Sequence, residues 1–372
     1  MKKEKIRVAQ VIGKLNAAGV EAVINNYYRF IDHDRFQFDF YIDADSNCQP
    51  PQELKDMGAR YFIIPPYQKV AKYVRTLQKY FVKEQYDIVH VNLNTLSVFA
   101  LYAAKKAGIP VRINHNHSTA SRTEIKRNVL KNMLRPYAKL FATDYMACSR
   151  FAGAWLFGKK DMQNGKVTIL NNAIELEKYA YHEDARNQVR SELGLENSII
   201  VGHVGRFSHQ KNHKKLLKIF NEICKKEEKA VLLLVGRGEL EKEVRAMVNS
   251  MGLESKVIFL GVRNDVAKLY QAMDVFVLPS YYEGLPVVAI EAQASGTPCV
   301  LSDAMTKETK VLSNTVFMSL EETDEKWADK ILAKVNQPKG YTIEEMRKAG
   351  FDIKTEALKL MKYYEEKLKE RT

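Results

Sequence analysis

Short runs of Val, Ile, Leu and Phe recur along this chain, and most are followed by a longer stretch of helical periodicity. Arg7 to Ile12, Phe36 to Ile42, Tyr61 to Ile64, Ile88 to Val91, Val111 to Asn114, Asp144 to Ala147 and Val167 to Leu170 make a first series. Ile199 to Val204, Val231 to Val235, Val257 to Leu260, Val275 to Leu278, Cys299 to Leu301 and Val316 to Met318 make a second. Such runs, bounded by Gly, Pro and Asn and alternating with helices, mark parallel sheets buried on both faces. The pattern predicts an α/β chain of two doubly wound, Rossmann-like domains. A length of 372 residues agrees, being too long for one ordinary core. The break falls at Asn171-Asn172, where a polar stretch begins that runs to Asp184. The expected domains are residues 1–171 and 172–340, with a Lys/Glu-rich helical tail, 341–372, packing back toward the first.

No apolar run approaches the roughly 18 to 20 residues that a membrane span needs. The charged start, Met1 to Lys5, leads straight into a strand without the apolar core of an export signal. Four scattered cysteines lack C-x-x-C spacing, which suggests neither a zinc ribbon nor a disulfide framework. A cytoplasmic location is expected. The net charge of +13 is unevenly placed: 27 Lys and Arg face 14 Asp and Glu up to Leu170, and the two are equal, at 31 each, from Asn171 onward. A basic field on one domain attracts nucleic acid, anionic lipid or lipid-linked phosphate. Nucleic acid is set aside, because the basic stretch lacks the interleaved aromatics of single-strand platforms.

In open α/β sheets ligands bind beyond the carboxyl ends of strands, where loops enter helix N-termini. The loop Gly13 to Glu21 is rich in small residues and suits either a phosphate or a tight turn. Gly236-Arg237-Gly238 lacks the third glycine of a dinucleotide fingerprint. After Val204, Gly205-Arg206 and Lys211 place two cations at a helix start, able to clamp one pyrophosphate or to stand as solvated surface. Glu283 lies in the loop after a buried strand, and Glu291 lies on the second turn of the helix that follows Pro286. A largely buried Glu291 needs hydrogen-bond partners, either a ribose diol or a cation of its own domain. His115 and His117 point to one face of a strand, as metal ligands can, yet no third ligand stands at local spacing.

Glu283 and Glu291, with Gly284-Leu285-Pro286 after the first and Ala292 to Pro298 after the second, resemble the E-x7-E pattern of retaining glycosyltransferase family 4, in the form used in capsule and exopolysaccharide synthesis. Gly205-Arg206 with Lys211, Leu260 to Val266, Asn171 to Ile174 and His115 to Ser118 are similar to that family's donor-phosphate pair, base-binding loop, interdomain segment and active-site histidine segment. The resemblance implies a GT-B fold with two Rossmann-like domains facing across a cleft, a nucleotide-sugar donor, and no metal or other cofactor. It implies that Arg206 and Lys211 hold the diphosphate and Glu291 the ribose. Glu283, Gly284 and Leu285 take the donor sugar and distal phosphate, and the backbone near Val262 and Arg263 takes the base. Gly19 matches the phosphate-contacting glycine, while Ala18 and Ala173 replace glycines common in the family. Glu283, His117 and His115 are the catalytic candidates.

The expected function is retaining transfer from a UDP-sugar to a membrane-associated or glycan acceptor in surface polysaccharide synthesis. A sugar-nucleotide epimerase and a non-catalytic glycan-binding partner are the alternatives. Arg122 to Lys139 reads as a basic amphipathic helix, suited to peripheral attachment at the anionic inner face of the cell membrane or to packing its apolar face on the domain.

Overall fold

The computed structural model describes residues 5–16, 19–119 and 125–371, and for 125–128 the backbone alone. The chain divides into two compact units, Met1–Ala173 with Ile353–Thr372, and Ile174–Asp352.

In the first unit, β1 (Ile6–Gly13), β2 (Phe36–Asp43), β3 (Arg60–Ile64), β4 (Ile88–Val91), β5 (Val111–Asn116), β6 (Asp144–Ala147) and β7 (Val167–Ile169) form one sheet in the order 3-2-1-4-5-6-7. Every pairing is parallel. The order reverses beside β1, so the loops after β1 and β4 part at the carboxyl edge and leave room for a ligand. Alternation along β2 sends Phe36, Phe38 and Phe40 to one face and Asp39 and Tyr41 to the other, and all five are fully buried. The helix Ile353–Lys369 packs on the helix Gly19–Phe30. Its Tyr364 ring lies 6.2 Å from both Phe36 and Phe38. Arg371, just beyond this helix, pairs with Asp144 at 2.8 Å.

Residues 341–352, assigned by sequence to the tail, belong instead to the second unit. Thr342 Oγ1 donates to the Ala294 carbonyl at 2.9 Å, and Asp352 forms a parallel bridge with Ile174. These contacts hold the segment before Ile353 against the second sheet's helices.

The second unit repeats the architecture with β8 (Ile199–Val204), β9 (Ala230–Val235), β10 (Val257–Gly261), β11 (Val275–Leu278), β12 (Cys299–Ser302) and β13 (Thr315–Met318), in the order 10-9-8-11-12-13. All of its pairings are parallel too. One face buries Trp327 with Phe220 and Leu217, the other Tyr270 with Met273 and Phe276.

Among the described residues no helix is long and apolar enough to cross a membrane. The expected helix from Arg122 to Lys139 stops short of Lys139. It runs from Ile125 to Leu134 and tightens into a 3-10 turn, Arg135–Tyr137. Pro136 lacks the N–H that a continuing helix would use. Arg122 and Glu124 lie outside the described residues. Val129, Leu130 and Met133 are exposed, at 54, 42 and 66%. These three side chains are open to solvent, while Leu134 of the same helix is half-buried.

Candidate active site

Arg206, Lys211, Glu283 and Glu291 lie beyond the carboxyl ends of strands of the second sheet. Beyond β8 the chain passes Gly205 and Arg206, makes a 3-10 turn at His209–Lys211, and enters the helix His213–Lys226 through Asn212, whose Oδ1 accepts from Lys215 N at 3.3 Å. This turn folds Lys211 back over Gly205, where a Cβ would come within 3.1 Å of Lys211 Cε. Lys211 Nζ then reaches Glu283 Oε1 at 2.7 Å, with both side chains nearly buried, at 14 and 9% exposure. Gln210 Nε2 donates to Glu283 Oε2 and to the Tyr282 carbonyl, each at 3.0 Å. Tyr281 N donates to the Gln210 carbonyl at 2.9 Å, so the loops after β8 and β11 are tied together. Gln210 carried no signal in the sequence, since its partners lie over 70 residues away.

Arg206 stands apart from this pair. Its guanidinium meets Glu239 at 2.9 Å, both groups being solvent-accessible. The two cations of the expected clamp thus have different carboxylate partners. Gly236 and Gly238 have a packing role: a Cβ on them would lie 2.2 Å from the Gly205 carbonyl oxygen and 2.4 Å from that of Phe207. The two loops interlock backbone to backbone, so these glycines need no dinucleotide to account for them.

Glu291 is the fifth residue of the helix Val287–Ala294. Its Oε1 accepts from the Tyr179 hydroxyl at 2.8 Å and its Oε2 from the Tyr270 hydroxyl at 2.9 Å. These partners are two phenols, not the cation of its own domain that the sequence left open. Burial pushes its carboxyl up, and the two phenols act in the opposite direction. Each oxygen keeps a further lone pair for a hydroxyl ligand. Glu283, Gly284 and Leu285 are buried just before the same helix. Val262, after β10, is 65% exposed, and Arg263 grips Asp265 with two bonds, 2.8 and 2.6 Å. That grip rigidifies the loop while leaving an apolar surface open.

In the first unit Gly19 opens the helix Gly19–Phe30, and a Cβ there would meet nothing within 4 Å. No packing within the described residues demands glycine. Asn16 N donates to Glu21 at 2.6 Å, which closes the turn into the helix. Ala18 lies outside the described residues. The rings of His115, on β5, and His117, just past its end, lie with centroids 3.9 Å apart and planes tilted by 38°. Both are buried, and so is His90 of β4 beside them. Burial holds His117 down to about 3, the Asn172 side chain opposing it, and also lowers His115, with help from the neighbouring imidazoles. These rings are neutral at physiological pH. Among the described residues no group of three or more His, Cys, Asp or Glu is placed to hold a metal ion.

Residues 17–178 match the model of Glycosyltransferase Family 4, and residues 185–350 that of Glycosyl transferases group 1. The chain is 33% identical to the EpsF protein of Bacillus subtilis (strain 168), named as a glycosyltransferase, over 98% of this chain and 97% of that one. It is a family 4 glycosyltransferase. A further relative, 27% identical over 80% of each chain, is the UDP-Gal:alpha-D-GlcNAc-diphosphoundecaprenol alpha-1,3-galactosyltransferase of Escherichia coli. Among solved structures, Anabaena Alr3699/HepE in complex with UDP-glucose superposes with a TM-score of 0.78 at 20% identity, covering 97% of this transferase and 99% of that chain. The likeness establishes the GT-B fold.

Proposed function

We propose that this transferase moves a hexose or amino sugar from a UDP-sugar, with retention of configuration, to a lipid-linked diphosphate or glycan acceptor in surface polysaccharide synthesis. The observation that carries this is the pairing of Lys211 with Glu283 at 2.7 Å on the carboxyl edge of the second sheet. Arg206 and Lys211 hold the diphosphate, Glu291 the ribose, the backbone at Val262 and Arg263 the base. Glu283, Gly284 and Leu285 take the sugar and distal phosphate. Negative charge grows on the departing diphosphate, where cations and helix N-terminal N–H groups stabilise it most. The leaving oxygen accepts the acceptor's proton on the same face, which retains configuration. His117 and His115 are the first unit's contribution to the reaction, and Gly19 lets a phosphate approach its helix. The donor named for the Escherichia coli relative and the UDP-glucose held by the Anabaena protein support the choice of base.

The acceptor sits on an anionic membrane in this proposal. Exposed Val129, Leu130 and Met133 beside a basic segment support that surface. The test is incubation with a panel of UDP-sugars and a sugar on undecaprenyl diphosphate, with product mass and anomeric configuration read by mass spectrometry and NMR. An acceptor carrying one added α-linked sugar is expected. A β-linked product overturns retention, and release of an epimer without transfer favours an epimerase.

A further inference from the structure

Six side chains of the first unit form one hydrogen-bond chain, and its direction is fixed by a backbone carbonyl. Asn92 Nδ2 lies 3.5 Å from the His90 carbonyl, which can only accept, so the amide nitrogen is on that side. The same nitrogen donates to Gln10 Oε1 at 3.1 Å, and Asn92 Oδ1 is left to accept His117 Nε2–H at 2.9 Å. Gln10 Nε2 in turn donates to the Tyr364 hydroxyl at 3.2 Å. A phenol that accepts one hydrogen bond still has its own proton to give, and His90 Nδ1 lies 2.6 Å away. Burial keeps His90 neutral, with a pKa of about 3, so an imidazole accepting at Nδ1 carries its single proton at Nε2. That proton faces His115 Nδ1 at 3.0 Å, which leaves the proton of His115 on Nε2. The hydrogen-bond chain ends at these two adjacent rings. His117 Nδ1 is left as an acceptor, with the Asn172 side chain near its ring, and His115 Nε2–H as a donor; both atoms are buried and make no hydrogen bond within the described residues.

We propose that Tyr364, on the last helix, is a positioning residue that sets the tautomers of His90 and His115, so that the His115–His117 pair offers one donor and one acceptor to a hydroxyl of the substrate. This rests on the assignment above of that pair to the reaction. A hydroxyl both donates and accepts, so two opposed functions on adjacent rings fix its orientation where two like ones would not. Replacing the phenol leaves His90 Nδ1 without its donor. The proton is then free to occupy either nitrogen, and His115 follows.

The test compares the full chain with Tyr364→Phe, which keeps the ring between Phe36 and Phe38. Histidine ¹⁵N spectra at neutral pH should show His90 and His115 as single Nε2–H tautomers in the wild type and as mixtures in the variant. With UDP-glucose or UDP-galactose and the undecaprenyl acceptor, kcat should fall about tenfold or more, as when a triad histidine loses the group that fixes its tautomer. The donor KM should be unchanged. A merely structural role would lower the melting temperature and leave the tautomers as they were. A wild-type His115 protonated at Nδ1, or a variant with unchanged spectra and kcat, overturns the proposal. Wild-type inactivity with every donor counts against the function above, and the tautomer spectra still decide the relay.

Discussion

Lys211 and Glu283 meet at 2.7 Å across two loops that are 72 residues apart in sequence, and each largely shields the other from water. Truncating one partner of such a pair strands the other charge, at a cost of about 3 kcal/mol, whereas replacing both is close to neutral. Lys211→Ala should therefore destabilise the second unit, and Lys211→Met with Glu283→Gln should restore the melting temperature without restoring activity. Denaturant unfolding alongside turnover checks this. Full activity in the double variant would remove the pair from the reaction.

Glu291 depends on Tyr179 and Tyr270 for its orientation. Tyr270→Phe removes one hydrogen bond, worth about 1 kcal/mol. If the carboxylate holds the donor's ribose, the KM for UDP-sugar should rise about fivefold while kcat changes little. Glu291→Gln should do more. Steady-state kinetics at saturating acceptor reads both, and an unaltered KM in each would place Glu291 outside the donor site.

Buried imidazoles make the fold sensitive to acid. Burial lowers His90 and His117 to about 3, His203 to about 4 and His213 to about 2, from 6.5. Protonation favours the unfolded chain, where the ordinary value holds. The stability is therefore complete above pH 6.5 and falls with pH below it, by about 1.4 kcal/mol per pH unit for each ring. At pH 5 that is about 2 kcal/mol for each. His213 stacks on Phe207 at 4.3 Å, so His213→Phe should keep the packing and make the acid slope of the second unit's unfolding shallower. An unchanged slope would show that this ring is not neutral.

Membrane attachment predicts co-sedimentation with anionic vesicles at low salt that fades as salt rises, since each Lys or Arg near the surface contributes about 1 kcal/mol. Leu130→Ser with Met133→Ser should weaken it without altering transfer to a short-chain acceptor. Wild-type protein that stays in the supernatant with such vesicles would exclude this surface as a docking face.

The strands were legible because a parallel strand buried on both faces has an unmistakable composition, and all thirteen appear at the expected places. The places of Arg206, Lys211 and Glu283 in loops after those strands, and of Glu291 on the helix that follows, were legible for the same reason. Their partners were not. Tyr179 reaches Glu291 across 112 residues and Tyr364 reaches His90 across 274, and no local periodicity encodes such distances. The same holds for the boundary at Ile353, which the contacts of Thr342 and Asp352 set, and for Gly236 and Gly238, whose reason is a neighbouring loop. Pro136 was in plain view, and the helix stopping before it follows from the missing N–H.

In the proposed function the second unit binds a nucleotide diphosphate through Arg206 and Lys211. Arg206 is the cleaner probe, because its surface pair with Glu239 contributes little to stability. Calorimetric titration of UDP into the wild type and Arg206→Ala should show a saturable site in the first and, for loss of a charge-assisted contact of about 1.5 to 3 kcal/mol, an affinity roughly 10- to 100-fold weaker in the second. Equal affinities, or no UDP binding by the wild type, would contradict it.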